Sequence, residues 1–183
     1  MIQLLGKIKD KKYYPLIDFL FDRCDYFTFC IPNFGKIVIN EKNAAISFYE
    51  IGHTETNDVE DFNEYKKMVD SSLLSIKKNI IKTYYDTEYL GSIYEYECET
   101  YIVKFEEATM GFLKATEGLY SWQYPIMPED LCFFQGERCY LRSVAHENLC
   151  FLYDDGKETK KALKKIGIKV QTVLDEEPPR LTF

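Results

Sequence analysis

The chain has 183 residues, 46% hydrophobic and 29% charged, with a formal net charge of −7. That length suits one domain burying roughly 70% of its unfolded surface. The acidic balance sets aside a general nucleic-acid binder, whose affinity rests on Lys and Arg against phosphates, and leaves room for a basic protein partner. No apolar run approaches the roughly 18 to 20 residues that span a bilayer. The opening MIQLLGKIKDKKYYP lacks the apolar core and cleavage site of a signal peptide. The expected location is therefore cytoplasmic, with no membrane association.

Fifteen Tyr and 13 Phe stand against a single Trp. Aromatic residues favour strands, so a large sheet is one reading; a codon bias towards Phe, Tyr, Ile, Asn and Lys is the other. In chain order, YYPLIDFLFDRC spaces Leu16, Ile17, Leu20 and Phe21 for one helical face, with Pro15 tolerated in the first turn. DYFTFCIP alternates as a strand that Pro32 is expected to end. GKIVIN is a short strand candidate, and AAISFYEIG fits helix or strand. Asn57 or Asp58 is a candidate cap for a long helix over about 59–78, with Glu60 and Asp61 in its first turn. Its apolar stripe runs Phe62, Tyr65, Val69, Leu73, Ile76 and Ile80.

From Asn79 the pattern turns to strand chemistry, clearest at Tyr101 to Phe105. EEATMGFLKATEGLYSW reads as a helix that Gly111 and Gly118 weaken. LCFF and RCYLRSVA then flank the turn QGE, HEN breaks the pattern, and LCFLY follows. The expectation is a three-stranded antiparallel meander over about 131–153. A basic helix over about 157–165, a last strand in IGIKVQTVL, and a frayed or extended tail over 175–183 complete the chain. The expected fold is a single α+β domain, 1–183, with a mixed or antiparallel sheet.

Six cysteines sit in Phe, Tyr and Leu-rich runs, without a C-x-x-C and with only two histidines in the chain. No zinc-ligand spacing results, and buried free thiols are expected. The hairpin turn sets one detail. With Gln135-Gly136 as turn residues, Cys132 faces Cys139; with Gly136-Glu137, Cys139 faces Phe134. No phosphate-binding glycine motif occurs, so no cofactor is expected.

The sharpest local group is His146-Glu147-Asn148. His146 has the chemistry of a base, with Glu147 to orient it. Neighbours on a strand point to opposite faces, however, and a polar tripeptide between apolar runs is what a hairpin tip requires. Ser143 lacks a nucleophile elbow, thiols in apolar strands tend to be inert, and His53 reads as a solvated loop residue. The stretch EGLYSWQYPIMPEDL is the better interaction candidate. Tyr120, Trp122 and Tyr124 alternate beside two prolines, followed by Glu129 and Asp130, the composition of a protein-partner anchor. The competing reading places Trp122 in the core. Arg142, His146 and Glu147 join these five as candidate binding residues.

The segments RCDYFTF, NIIKTYYDTEYLGS and above all LYSWQYPIMPEDLCFFQGERCYLRSVAHENLCFLY resemble an uncharacterised family of small soluble bacterial proteins. Some of its members carry the label stage III sporulation protein AH. The likeness covers about half the chain and is strongest from Leu119 to Tyr153. It implies a small soluble bacterial or phage-encoded domain and brings no catalytic residue with it. The expectation is a non-enzymatic protein-binding module, for example an immunity, antitoxin or anti-defence inhibitor protein. The alternatives are an enzyme using His146 with Glu147 or a thiol on a small molecule or nucleotide, and a sporulation-associated protein.

Overall fold

Strands with period-two alternation pair edge to edge, and the described residues supply eight of them. A computed structural model describes residues 1–37, 56–174 and 176–183. The strands are β1 (Ile2–Leu5), β2 (Tyr26–Ile37), β3 (Ile80–Tyr89), β4 (Ser92–Lys104), β5 (Glu129–Gln135), β6 (Arg138–Val144), β7 (Leu149–Leu152) and β8 (Lys169–Thr172). The helices are α1 (Tyr13–Phe21), α2 (Thr56–Leu73), the single turn α3 (Met110–Leu113) and α4 (Lys157–Ile166). The strands form one sheet in the order β3-β4-β2-β5-β6-β7-β1-β8, and every neighbouring pair is antiparallel. The fold is α+β, and the expected meander is β5-β6-β7, the middle of a much larger sheet.

Alternation gives the sheet two unlike faces. Phe27, Phe29, Val103, Leu131, Phe133, Leu141, Leu152, Ile2 and Leu4 point to one side, in a single cluster with Leu16, Ile17 and Leu20 of α1. Tyr65, Val69 and Leu73 of α2 and Leu163 of α4 complete that cover. The opposite face carries Cys30, Cys98, Ile102, Cys132, Phe134 and Cys139. Among the described residues no helix contributes to that second cluster. Instead Tyr89, Leu90 and Tyr94, from the end of the β3-β4 hairpin, and Leu181 of the C-terminal segment close it.

Several boundaries differ from expectation, each for a local reason. Pro32 does not end β2, which continues to Ile37; the ladder to β4 shifts register between Pro32 and Ile37, where proline withholds its N–H. Helix α2 begins at Thr56, so Asn57 and Asp58 stand in its first turn and not ahead of it. It ends at Leu73, near Ser72 and Ser75. Ser72 Oγ donates to the Val69 carbonyl and Ser75 Oγ to the Ser72 carbonyl, competing with helical bonding. Tyr65, Val69, Leu73 and Ile76 are all buried as the stripe requires.

The expected helix over EEATMGFLKATEGLYSW is broken into 3-10 turns at Glu107–Thr109 and Leu119–Ser121 around the one turn of α3. Gly118 pairs with Lys9, and a Cβ on Gly118 would lie 2.8 Å from Lys9 Cβ. The β5-β6 turn uses Gly136-Glu137, so Phe134 faces Cys139, and a register shift between Phe133 and Phe134 then sets Cys132 opposite Arg142. All six thiols are free and buried.

The C-terminal segment is docked, not frayed. Leu181 N–H donates to the Glu137 carbonyl at 2.8 Å, and Cys139 N–H donates to the Pro179 carbonyl at 2.9 Å. Phe183 packs on Tyr26 with ring centroids 5.2 Å apart. The AAISFYEIG segment and His53 lie outside the described residues. Among the described residues no helix is long and apolar enough to cross a membrane.

Candidate functional site

Asp130 owes its position to a bulge. β2 and β5 pair Thr28 with Cys132 and Cys30 with Glu129, so β5 carries one residue more than β2 across that span. Asp130 adopts φ 55°, in the left-handed region that Asp tolerates better than most side-chain-bearing residues. Its carboxyl is buried. Ala145 N–H donates to Oδ1 at 2.7 Å and the Tyr94 hydroxyl donates to Oδ2 at 2.8 Å. The Asp130 carbonyl accepts the Tyr89 hydroxyl at 2.9 Å and the Cys132 thiol at 3.3 Å. Burial raises the Asp130 pKa, and its N–H and O–H donors oppose that rise.

The Ala145 contact builds the neighbouring corner. Ala145 opens the 3-10 turn Ala145–Glu147, which Asn148 closes in a left-handed conformation at φ 54°. In this turn His146 and Glu147 do approach one another, with Nε2 3.7 Å from Oε1, and both side chains are more than half exposed, 57% and 55%. Strand alternation, which argued against their contact, does not apply in a 3-10 turn. Neither thiol weighed as a partner for His146 has the character of a thiolate. Cys139 and Cys150 are buried, and burial pushes both well above the ordinary thiol range. Ser143 Oγ donates to the Leu131 carbonyl at 2.7 Å, inside the sheet.

Glu129 stands beside this turn, half-buried. Burial first, and then the Asp130 charge, push its carboxyl up to about 7; His146 and a backbone hydrogen bond from Tyr124 act in the opposite direction. It forms no ion pair with Lys or Arg among the described residues. The turn that precedes it is held by Ile126 N–H and Met127 N–H, which donate to the Gln123 carbonyl at 3.0 and 3.1 Å. This turn presents the Ile126 side chain at 56% exposure. Tyr124 is half-buried, edge-on to Tyr65 at 4.9 Å. The Leu119–Ser121 turn packs against Ala145–Glu147, bringing half-buried Tyr120 to the same corner. The Tyr120 hydroxyl is buried without a hydrogen-bond partner among the described residues.

Five of the eight expected binding residues, Tyr120, Tyr124, Glu129, His146 and Glu147, therefore belong to one corner. The other three do not present a surface there. Trp122 is fully buried, its Nε1–H donating to the Tyr13 hydroxyl at 2.9 Å, so it is a core residue and not an anchor. Asp130 lies beneath the corner and holds it. Arg142 reaches the β3-β4 hairpin, where Nη2 donates to Ser92 Oγ at 3.1 Å. Sequence reasoning missed Ile126, although it lay in the quoted stretch, because one apolar residue in a loop has no periodicity to reveal its exposure. Tyr89 and Tyr94 were missed because their role depends on a hairpin folding back over the sheet.

Among the described residues no group of three His, Cys, Asp or Glu side chains is arranged to hold a metal ion. Two surface cavities, one beside Met1, Phe151 and Leu174 and the other beside Arg138, Tyr140 and Tyr153, are lined by none of the corner residues. No protein-family model, no curated protein and no solved structure matches this chain.

Proposed function

We propose that this chain is a non-enzymatic protein-binding module of bacterial or phage origin, of the immunity, antitoxin or anti-defence kind. Its docking surface is the corner of Tyr120, Tyr124, Ile126, Glu129, His146 and Glu147, and its partner is a basic protein. The observation that carries this reading is Glu129, a half-buried carboxyl raised to about 7 with no Lys or Arg paired to it among the described residues. A Lys or Arg supplied by the partner stabilises the charged form of such a group. Ile126, exposed in the turn that precedes Glu129, provides the apolar anchor, and the half-buried tyrosines provide rigid flanks. The bacterial or phage assignment rests on the resemblance at Leu119 to Tyr153.

Binding to a cationic group favours ionised Glu129, so affinity is expected to rise with pH between about 6 and 8 as the carboxyl's proton is released. The test is recovery of a partner by the tagged chain, with the captured protein identified and its affinity measured at both pH values. Ile126→Asp and Glu129→Lys should each weaken binding at least about tenfold. Glu137→Gln, at the distant hairpin turn, should leave it unchanged. A captured partner that binds both corner variants as tightly as the parent refutes the corner; an affinity independent of pH refutes the role given to Glu129.

A further inference from the structure

The two edges of the sheet are unlike. β8 is four residues long and carries an exposed lysine, Lys169, the usual protection of a strand edge. β3 is ten residues long, and among the described residues no strand lies along its outer side. Its ladder to β4 shifts register between Ile80 and Lys82 and again between Asp86 and Glu88. Between these bulges Lys82 to Asp86 runs regularly, one residue against one. On this edge Ile81 and Tyr85 are 51% and 57% exposed.

The regular span is self-complementary. An antiparallel pair of identical strands about a two-fold axis at residue n sets n−k opposite n+k. With the axis at Tyr84, Lys82 lies opposite Asp86 of the second copy, and Asp86 opposite the second Lys82. Thr83 then meets Tyr85, and the two Tyr84 side chains face one another. Moving the axis to Thr83 sets Lys82 against Tyr84. Moving it to Tyr85 leaves Asp86 against Tyr84 and carries the Lys82–Glu88 pair across a bulge. Only the Tyr84 axis keeps both opposite-charge pairs inside the regular ladder. The Lys82 ammonium already donates to the Thr182 carbonyl at 2.8 Å, which uses one of its three N–H groups and holds it at the edge.

We infer that β3 is a self-association edge, joining two copies of this chain into one continuous antiparallel sheet about a two-fold axis at Tyr84. The occupant is a second copy because the charge order Lys82 to Asp86 is complementary to its own reverse. A ladder of five residues is short, so the dimer is weak, with a Kd on the order of 100 μM. The surface is separate from the Glu129 corner, and purified protein alone tests it.

Sedimentation velocity of the full chain, from about 10 μM to about 1 mM, is expected to show a concentration-dependent dimer. Lys82→Asp and Asp86→Lys should each weaken it at least about tenfold, because like charges then stand directly opposite. The double exchange, Lys82→Asp with Asp86→Lys, should restore it. As an independent measurement, Tyr84→Cys treated with oxidised glutathione as the two-electron acceptor should yield a covalent dimer linked through position 84 on both chains. A monomer across the whole range, a dimer indifferent to both single reversals, or a Tyr84→Cys protein that gives no 84-to-84 link would each overturn the proposal. If a charge variant loses its fold, the cysteine link decides.

Discussion

Glu129 and Asp130 are consecutive carboxyls with opposite circumstances, and the bulge in β5 is the cause. Asp130 is turned inward and receives one N–H and one hydroxyl on its carboxyl oxygens. Glu129 is left half-buried with weaker compensation, and its carboxyl is raised to about 7 from an ordinary 4.5. A raised carboxyl keeps its proton in the folded state while the unfolded chain has already released it. Stability therefore falls as pH rises from about 4.5 to about 7 and stays reduced above that. Glu129→Gln removes the titration. At pH 8 the variant should be more stable than the parent by on the order of 1–2 kcal/mol, after discounting for partial exposure. At pH 4 the two should coincide. Urea midpoints at pH 4, 6 and 8 measure this, and a gain at pH 4 equal to that at pH 8 would contradict the assignment.

At the scale of elements, the second face of the sheet shows how a hairpin end and a C-terminal strap provide cover. Tyr89 sits at the end of β3, fully buried, and its hydroxyl meets both Thr28 Oγ1 at 2.7 Å and the Asp130 carbonyl. The hairpin end is thereby fastened across β2 and β5. The C-terminal segment covers the neighbouring part, with Leu181 buried beside Cys139 and Phe134 in the same cluster. Of the two readings of this tail, frayed or extended, it takes the extended one, and the fixed φ of Pro178 and Pro179 suits an extended strap. Leu181→Ala should cost about 2 kcal/mol in chemical denaturation, by loss of apolar burial and an unfilled space. A loss below about 0.5 kcal/mol, the level of an ordinary surface change, would show that the strap contributes little.

At the scale of the molecule, Trp122 ties the helix-side core together. Its ring lies 5.9 Å from Phe29 of the sheet and 5.5 Å from Phe112 of α3, centroid to centroid. Its N–H begins a short relay, since the Tyr13 hydroxyl that accepts it donates in turn to the Leu113 carbonyl at 2.8 Å. Three separated parts of the chain therefore meet at one indole. Trp122→Phe should cost about 2–3 kcal/mol, combining lost volume with a lost buried donor. Equilibrium unfolding tests this; an unchanged midpoint would remove Trp122 from the centre of the core. β1 adds another long-range tie. It lies between β7 and β8, so the end of the chain completes its sheet only on the N-terminal strand.

Local chemistry made much of this legible. The stripe Tyr65, Val69, Leu73 and Ile76, the alternation at Tyr101 to Phe105, and the presence of turns at Gln135 to Glu137 and at His146 depend on residue spacing, which a sequence displays directly. The choice of Gly136-Glu137 over Gln135-Gly136 came instead from the strand pairing. The free, buried state of the cysteines follows from their apolar surroundings in the same way. Other properties depend on which segments meet. Trp122 and Ile126 belong to the same fifteen-residue stretch, yet one is core and the other exposed, because Phe29, Phe112 and Tyr13 converge only on the first. The extent of the sheet, the hairpin that folds over its second face and the docked C-terminus arise from pairings between distant residues. No local period encodes such pairings; burial of each remaining apolar surface selects them.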